Sequence, residues 1–451
     1  MKHTIHFMLA VCCLLPWLNA SAADANAVDN NALTEDTQTQ IQQQIEQLQA
    51  DYDRRLARLE KRQKQTQAAT RIKRANNFNP AISLILTGTY ASYNNDPDSY
   101  NLPGFALGEE AGLNTEGFSL GESEITLGAS VDQNFYGQAT FAIEDDKGET
   151  SIAAEEVFFE TLGLSSGLKL KAGRFFSEMG YINSKHTHAW DFSDAPLIYR
   201  GLLGDQLKQD GLQFSWLLPT EHFIQLGAEA GNGVHYPSGG SHSGLGDWLL
   251  FASTGGDIGL SHSWQLGLSH WQASDINDRP SQGVNPGGNT TINTPLFSGD
   301  SKIDALDIVY KWAPDGNPAQ QNFKFQWEYF QRHEAGQLSL DNTSLQSTYT
   351  GDQSGWYAQA VYQFIPHWKT GLRYDRLQSD NSGSDNTVLA QAGLLDNGHT
   401  PQRISLMLNW QASEFSYIRI QYNYDQSTTD NDNQLLIKYT IVMGAHGAHS
   451  Y

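Results

Sequence analysis

Two histidines and two aspartates lie close together in one polar stretch of the chain, at His186, His188, Asp191 and Asp194. In an extended segment, residues 186 and 188 point to the same side. Two imidazole nitrogens and a carboxylate oxygen form a donor set that binds Zn²⁺. The same residues could instead hold a loop in place through hydrogen bonds, with Trp190 packed against it. The sequence leaves both interpretations open.

Other residue patterns give no support to catalysis. Ser123 lies in a Gly-Glu-Ser-Glu sequence, which lacks the G-x-S-x-G pattern of a nucleophile elbow. The pair Gly239-Gly240 does not join a strand to a helix, as a phosphate-binding loop would. Both cysteines, Cys12 and Cys13, lie in a segment that we interpret below as a cleaved signal. We therefore expect no enzyme, no disulfide and no thiolate metal site.

The elements that would position these residues alternate between apolar and polar side chains. Residues 323–329 read FKFQWEY, residues 404–410 read ISLMLNW and residues 418–424 read IRIQYNY. This period of two predicts strands with one apolar and one polar face. A soluble sandwich would bury the apolar face against another sheet, whereas a membrane barrel turns it to lipid. Aromatic residues at strand ends favour the barrel, because they match an interfacial girdle. The girdle would contain Trp312, Tyr329, Trp368, Tyr374, Trp410 and Tyr424.

Short and long connections alternate along residues 79–451. Seven short turns and eight longer polar loops, including 177–209, 273–300 and 334–352, separate sixteen predicted strands. Short periplasmic turns opposite longer outer loops are typical of outer-membrane barrels. We predict an all-β transmembrane β-barrel of about sixteen antiparallel strands, with both chain termini in the periplasm. Residues 177–209 would form its third outer loop.

The residues before the barrel divide into three predicted segments. Residues 1–22 combine a positive start, a short apolar stretch and an Ala-Ser-Ala cleavage site, which indicates a secretory signal peptide. Residues 23–36 are polar and are predicted to be disordered. Residues 37–74 are predicted to be helical, either as a short coiled coil or as a single solvated helix. A coiled coil would imply an oligomer such as a homotrimer.

Charge is distributed unevenly between these segments. From residue 75 onward the chain has 18 Lys and Arg against 42 Asp and Glu, whereas residues 54–74 contain nine basic residues. A pore with acidic walls favours cations. Because the protein is predicted to be exported, we interpret the basic stretch as a solvated helix face or a cell-wall contact, and not as a nucleic-acid site.

Several charged residues share the polar faces of predicted strands and are candidates for the pore lining. Acidic and basic residues on opposite walls would create a transverse field, which orients polar solutes in a pore. The alternative is that they only solvate the inner wall. The candidates are Glu122, Glu124, Lys169, Lys171, Lys369, Arg373, Asp375 and Arg419.

Four stretches carry a resemblance to a known family. They are NPAISLILTGTYASYNNDPDSYNLPGFALG from residue 79, GFSLGESEITLGASVD from residue 117, KAGRFFSEMGYINSKHTHAWDFSDAPLIYRGLLG from residue 171, and MGAHGAHSY from residue 443. The chain resembles porin-like proteins labelled zinc-regulated, TonB-dependent outer-membrane receptors and, more distantly, phosphate-selective porins. The resemblance covers most of residues 79–451. It implies an outer-membrane barrel connected with zinc or another metal.

The sequence therefore predicts a channel of the Gram-negative outer membrane for small polar solutes, with a bias to cations. Its predicted partners are outer-membrane lipid and the barrel assembly machinery, for which the C-terminal aromatic Tyr451 would be a signal. Two alternatives stay open. One is a zinc uptake receptor, and the other is a tether between the outer membrane and the cell wall through the basic stretch.

Overall fold

The computed structural model describes residues 80–108, 111–146, 149–240, 244–285, 292–396 and 398–444. The chain divides into two units, Met1–Ala75 and Asn76–Tyr451, and the described residues all belong to the second. The predicted signal peptide, disordered segment, helical segment and assembly signal at Tyr451 lie outside the described residues. Among the described residues, no helix is both long enough and apolar enough to cross a membrane.

The described residues form seventeen strands and two short α-helices. The strands are β1 (Ala81–Ser92), β2 (Gly117–Leu120), β3 (Ser123–Ser130), β4 (Phe135–Asp146), β5 (Glu149–Thr161), β6 (Leu168–Phe176), β7 (Lys208–Leu217), β8 (Phe223–Gly231), β9 (Asp247–Ile258), β10 (His262–Pro280), β11 (Pro295–Trp312), β12 (Asn322–Leu340), β13 (Gln346–Ile365), β14 (Trp368–Gly383), β15 (Gln402–Ser413), β16 (Ser416–Gln426) and β17 (Asp432–Gly444). The helices are α1 (Leu197–Leu203) and α2 (Asn386–Gln391).

The strands close into a ring. From β3 to β17 each strand pairs antiparallel with its sequence neighbour, and β1 pairs with β17 from Ser83↔Gly444 to Ser92↔Leu435. Both β2 and β3 pair with β1, one after the other, so they form one strand interrupted at residues 121–122. The ring therefore has sixteen positions, which confirms the predicted count. Closure leaves no sheet edge, and a lipid-exposed wall requires this because lipid cannot satisfy free backbone groups.

The two faces of the wall differ in polarity. The outside carries exposed large apolar residues, of which Leu268, Leu372 and Leu406 are at least half exposed. Aromatic residues such as Trp264 and Trp410 lie outside near the short turns. Polar residues occupy the inner face, where they are buried. An apolar outer face with a polar interior is the pattern of a transmembrane barrel, because the surrounding lipid replaces water on the outside.

Strands β10 to β13 are longer than the sequence predicted, at 18 to 20 residues each. The predicted bounds of the loops 273–300 and 334–352 were wrong, because the strands continue through half of the first and most of the second, and the connections are only 281–294 and 341–345. Beyond the lipid both faces of a strand meet water or loops. The apolar alternation therefore ends while backbone pairing continues.

Long loops fill the barrel on the side away from the short turns. Helix α1 belongs to the third loop, and its Leu197, Leu202 and Leu203 are fully buried. They join an apolar cluster that includes Trp271 of β10 and Tyr357 of β13. The third loop is therefore packed against the inner wall as part of the folded core.

Candidate functional site

The third loop, residues 177–207, crosses the lumen. It leaves the wall at β6, yet the backbone N–H of Tyr181 donates to Glu328 of β12 at 2.9 Å. The N–H of Leu197 donates to Asp375 of β14 at 2.9 Å. Since β6, β12 and β14 are separate parts of the ring, these bonds hold the loop inside the barrel.

One end of this crossing carries both predicted histidines and meets three carboxylates. We call Glu124, Glu155, Glu156, His186 and His188 the His–carboxylate cluster. His186 Nδ1 lies 3.1 Å from Glu124 Oε2 and 3.3 Å from Glu155 Oε2, and its Nε2 lies 3.0 Å from Glu156 Oε2. His188 Nδ1 lies 2.6 Å from the other oxygen of Glu124. The two imidazole rings stack, with centroids 5.6 Å apart.

A β-bulge places two adjacent carboxylates in this cluster. In the ladder between β4 and β5, Thr140 pairs with Glu156 and the next residue, Phe141, pairs with Ala154. Glu155 is the extra residue, so it departs from the strict alternation that would turn it to the outer face. Both Glu155 and Glu156 are buried and both contact His186. The bulge therefore points two neighbouring side chains at one histidine.

Electrostatics in the cluster favour a positive charge. Burial alone would lower the pKa of His186, but its contacts with Glu155 and Glu156 and the nearby charge of Glu124 raise that pKa well above the ordinary value. Two atoms that face each other, Glu155 Oε2 and His186 Nδ1, are buried without an aligned hydrogen bond. The carboxylates thus form a buried acceptor set that favours a positive charge among them.

The two predicted aspartates lie elsewhere. Asp191 pairs with Lys324 of β12 at 2.5 Å, and Asp194 pairs with Arg373 of β14 at 2.6 Å and Arg403 of β15 at 2.9 Å. Burial alone would raise the pKa of Asp194, but these arginines hold it far below its usual range. The structure therefore corrects the predicted four-residue metal set, because both aspartates are bound to basic side chains of another part of the wall.

Glu122 and Glu124, both candidates for the pore lining, lie on the lumen side. Glu122 occupies the interruption between β2 and β3, and its Oε1 is buried without a hydrogen bond among the described residues. Glu124 belongs to the His–carboxylate cluster. These two glutamates therefore extend the acidic surface of that wall.

The predicted lysines of β6 also lie on the lumen side. The register pairs Lys169 with Ser215 and Lys171 with Gln213, which places the lysines on the face of these two buried polar residues. Lys169 Nζ lies 3.2 Å from Glu160 Oε2 of β5. Half of the Lys169 side chain is exposed, so this ion pair contributes little to stability.

The remaining candidates for the pore lining lie on β14 and β16. Arg373 Nε lies 3.1 Å from Asp375 Oδ2, and both contact the third loop. Lys369 is in register with Asn409 of β15, whose amide oxygen accepts a hydrogen bond from Arg419 Nε at 3.4 Å. Lys369 and Arg419 therefore share the lumen face of this wall.

The acidic and basic regions lie on different sides of the lumen. The His–carboxylate cluster is built on β3 and β5, on either side of β4. Half-way round the sixteen-strand ring from β4 is β12, which carries Lys324 in register with Lys311 of β11. The third loop joins the two sides, because His186 contacts the acidic wall and Asp191 contacts Lys324.

Sequence reasoning missed Glu155 and Glu156. The sequence does contain a signal for these two residues. Two adjacent glutamates in the strand sequence AAEEVFFE interrupt the alternation of apolar and polar residues. Such an interruption is what a bulge produces, and bulges are frequent near functional sites. The partner of these residues, His186, was identified from the sequence, but the contact itself was not.

Comparisons with known proteins show related folds but no named family. No family model matches the chain. A curated protein of Aquifex aeolicus, described as uncharacterized, is 29% identical over 410 residues, which cover 83% of this chain and 80% of the relative.

Solved structures with a similar fold are outer-membrane proteins. OmpT of Vibrio cholerae in its trimer form has a TM-score of 0.49 and 10% identity, and covers 81% of this chain and 99% of its own. The channel DcaP of Acinetobacter baumannii has a TM-score of 0.47 and 10% identity, and covers 80% and 97%. At these values neither activity nor assembly is carried over. The porin-like architecture rests on the closed ring, the apolar outer face and the third loop inside the lumen.

Proposed function

We propose that the protein is a passive channel of the Gram-negative outer membrane for small polar solutes, with a bias to cations and with both chain termini in the periplasm. The observation that carries this proposal is the third loop, which crosses the lumen of a closed barrel and is bonded to β3, β5, β12 and β14. A loop held in this way narrows the lumen of a wide barrel to a constriction. The apolar outer face supports contact with outer-membrane lipid.

The bias to cations is supported by the mouth of the barrel. A cavity of about 1080 Å³ opens among the loops on the side away from the short turns. Among the described residues that line this cavity, six are aspartates and one, His399, is basic. A ring of carboxylates at a pore entrance concentrates cations and repels anions. The aspartates are Asp96, Asp98, Asp396, Asp425, Asp430 and Asp432.

The lumen supports a further property of the proposed channel, which is orientation of the solute. Carboxylates of the His–carboxylate cluster lie on one side, and Lys311, Lys324 and Lys369 lie on the other. A polar solute that passes beside the third loop would meet a transverse field. Solutes with separated positive and negative groups would be aligned by it.

The test is single-channel conductance of the refolded full-length protein in a planar bilayer under a KCl gradient. We expect steady conductance with a reversal potential that indicates cation selectivity. The variant Asp96→Asn/Asp98→Asn/Asp430→Asn should keep the conductance and lose part of the selectivity. A matched control is Asp304→Asn, an exposed residue on the outer side of β11. Failure of correctly folded barrels to conduct would overturn the channel proposal.

A second candidate function is metal uptake, which the His–carboxylate cluster favours. It differs from a passive channel because uptake requires that metal binds and is then released to the periplasm. Transport of radioactive ⁶⁵Zn²⁺ into proteoliposomes that also conduct K⁺ would separate selective uptake from general permeation.

The tether alternative and homotrimeric assembly through a coiled coil depend on residues 37–74, outside the described residues. Neutralising Arg54, Arg55 and Arg58 tests cell-wall binding.

A further inference from the structure

We propose that Glu124, Glu155 and His186 form a binding site for a divalent transition-metal ion. Each residue offers one ligand atom, and these three atoms all lie within 4.8 Å of one another. They come from β3, from the bulge in β5 and from the third loop. An ion bound there would tie the loop to two strands of the wall.

The distances around His186 fit such a site. Two ligand atoms that are each about 2.1 Å from a tetrahedral ion lie about 3.4 Å apart. His186 Nδ1 is 3.1 Å from Glu124 Oε2 and 3.3 Å from Glu155 Oε2. These separations match two edges of a tetrahedron, and the third edge, between the ligand atoms of the two glutamates, is within 4.8 Å and would shorten when an ion binds.

The second ring nitrogen of His186, Nε2, already has a carboxylate partner. His186 Nε2 lies 3.0 Å from Glu156 Oε2. Histidines that bind metals almost always donate their second N–H to a carboxylate or a carbonyl, which fixes the tautomer and directs the free nitrogen to the ion. Glu156 therefore acts as a positioning residue for His186. The bulge explains why adjacent glutamates supply both roles, one facing each nitrogen.

Burial and missing hydrogen bonds indicate a ligand. The side chain of Glu155 is 5% exposed and that of Glu124 is 1% exposed. Glu155 Oε2 has no hydrogen-bond donor among the described residues, although it points to His186 Nδ1. A buried carboxylate oxygen without a donor is costly, and a bound cation satisfies it directly.

The donor set indicates the class of metal. One imidazole nitrogen with two carboxylate oxygens suits Zn²⁺, Mn²⁺, Co²⁺ or Ni²⁺, and the fourth position can be taken by water. Ca²⁺ and Mg²⁺ prefer sites made only of oxygen atoms. This inference depends on the geometry of the cluster and not on conduction, so it can fail or succeed separately from the channel proposal.

The experiment measures Zn²⁺ binding by isothermal titration to the folded full-length protein, prepared without an affinity tag and with Mg²⁺ in excess. The parent protein and all variants carry His446→Ala and His449→Ala, which removes a separate His-x-x-His pair from the sequence. We expect a single Zn²⁺ per chain. Glu155→Gln and His186→Ala should each weaken binding by more than about 100-fold, and Glu156→Gln by about 10- to 100-fold.

The matched control is Glu160→Gln, which removes a carboxylate from the same strand but outside the cluster. It should leave the affinity for Zn²⁺ unchanged. The heat-dependent change in the mobility of the barrel on a denaturing gel verifies that each variant is folded. If only one of Glu155→Gln and His186→Ala folds, that variant is sufficient for the test. Absence of stoichiometric binding in the parent protein would overturn the proposal, and so would an affinity for Zn²⁺ in folded Glu155→Gln or His186→Ala equal to that of the parent protein.

Discussion

His188 of the third loop and Glu124 of β3 form a buried pair, with Nδ1 2.6 Å from Oε1. The two residues are 64 positions apart in the chain. Their side chains are 3% and 1% exposed, so neither can exchange its partner for water. This pair fastens the third loop to the first part of the wall, beside the contacts of His186.

The first prediction concerns this pair. His188→Ala should loosen the loop, because a buried hydrogen bond to a charged group contributes about 1.5–3 kcal/mol. We expect faster amide hydrogen exchange across residues 186–190 and more frequent current fluctuations in the open channel. The control is His333→Ala, which removes an exposed partner of Asp352 on the outer side. Unchanged exchange in His188→Ala would show that the loop is held by its other contacts.

The second prediction concerns Asp194, which lies between Arg373 and Arg403. Asp194→Asn removes one of the two carboxylates that neutralise these buried guanidinium groups and leaves Asp375, which contacts both. Breaking a buried pair in this way costs about 3–5 kcal/mol. We expect a lower midpoint for urea unfolding of the barrel. Asp304→Asn, which breaks an exposed pair with His270, should change the free energy of unfolding by less than about 1 kcal/mol.

The third prediction is a pH dependence. Because the folded pKa of Asp194 is held far below its unfolded value, its stabilising contribution is complete above the unfolded pKa of about 3.9. The contribution declines only as the pH falls below that value toward the folded pKa. The difference in unfolding free energy between the parent protein and Asp194→Asn should therefore be constant from pH 7 to pH 5. A difference that shrinks within this range would contradict the assignment.

The fourth prediction concerns the basic side of the lumen. Lys369→Gln/Arg419→Gln removes two positive charges that face the pore, so the ratio of K⁺ to Cl⁻ permeability should rise. Reversal potentials under a KCl gradient measure this ratio. Lys302→Gln is the matched control, because Lys302 is exposed on the outer side of β11. Equal selectivity in the double variant and the parent would place both residues outside the ion path.

Several features could be predicted from the sequence because they depend on local patterns. Alternation of apolar and polar residues has the same period as the side chains of a strand, so it identified strands such as residues 323–329 and the faces that meet lipid. The seven short turns fall between strands as predicted. The same alternation predicted that the side chains of Glu124, Lys171 and Lys369 face the lumen.

Only the tertiary structure decided which residues meet. Asp194 contacts Arg403, a residue 209 positions away, and no local pattern reports such a partner. The bulge at Glu155 depends on the register between β4 and β5, which is set by pairing along the whole hairpin. The path of the third loop depends on the opposite wall, because the loop is bonded to β12 and β14. The strands were therefore determined locally, whereas the His–carboxylate cluster required the pairing of β3 to β6 and the return of the third loop onto β3 and β5.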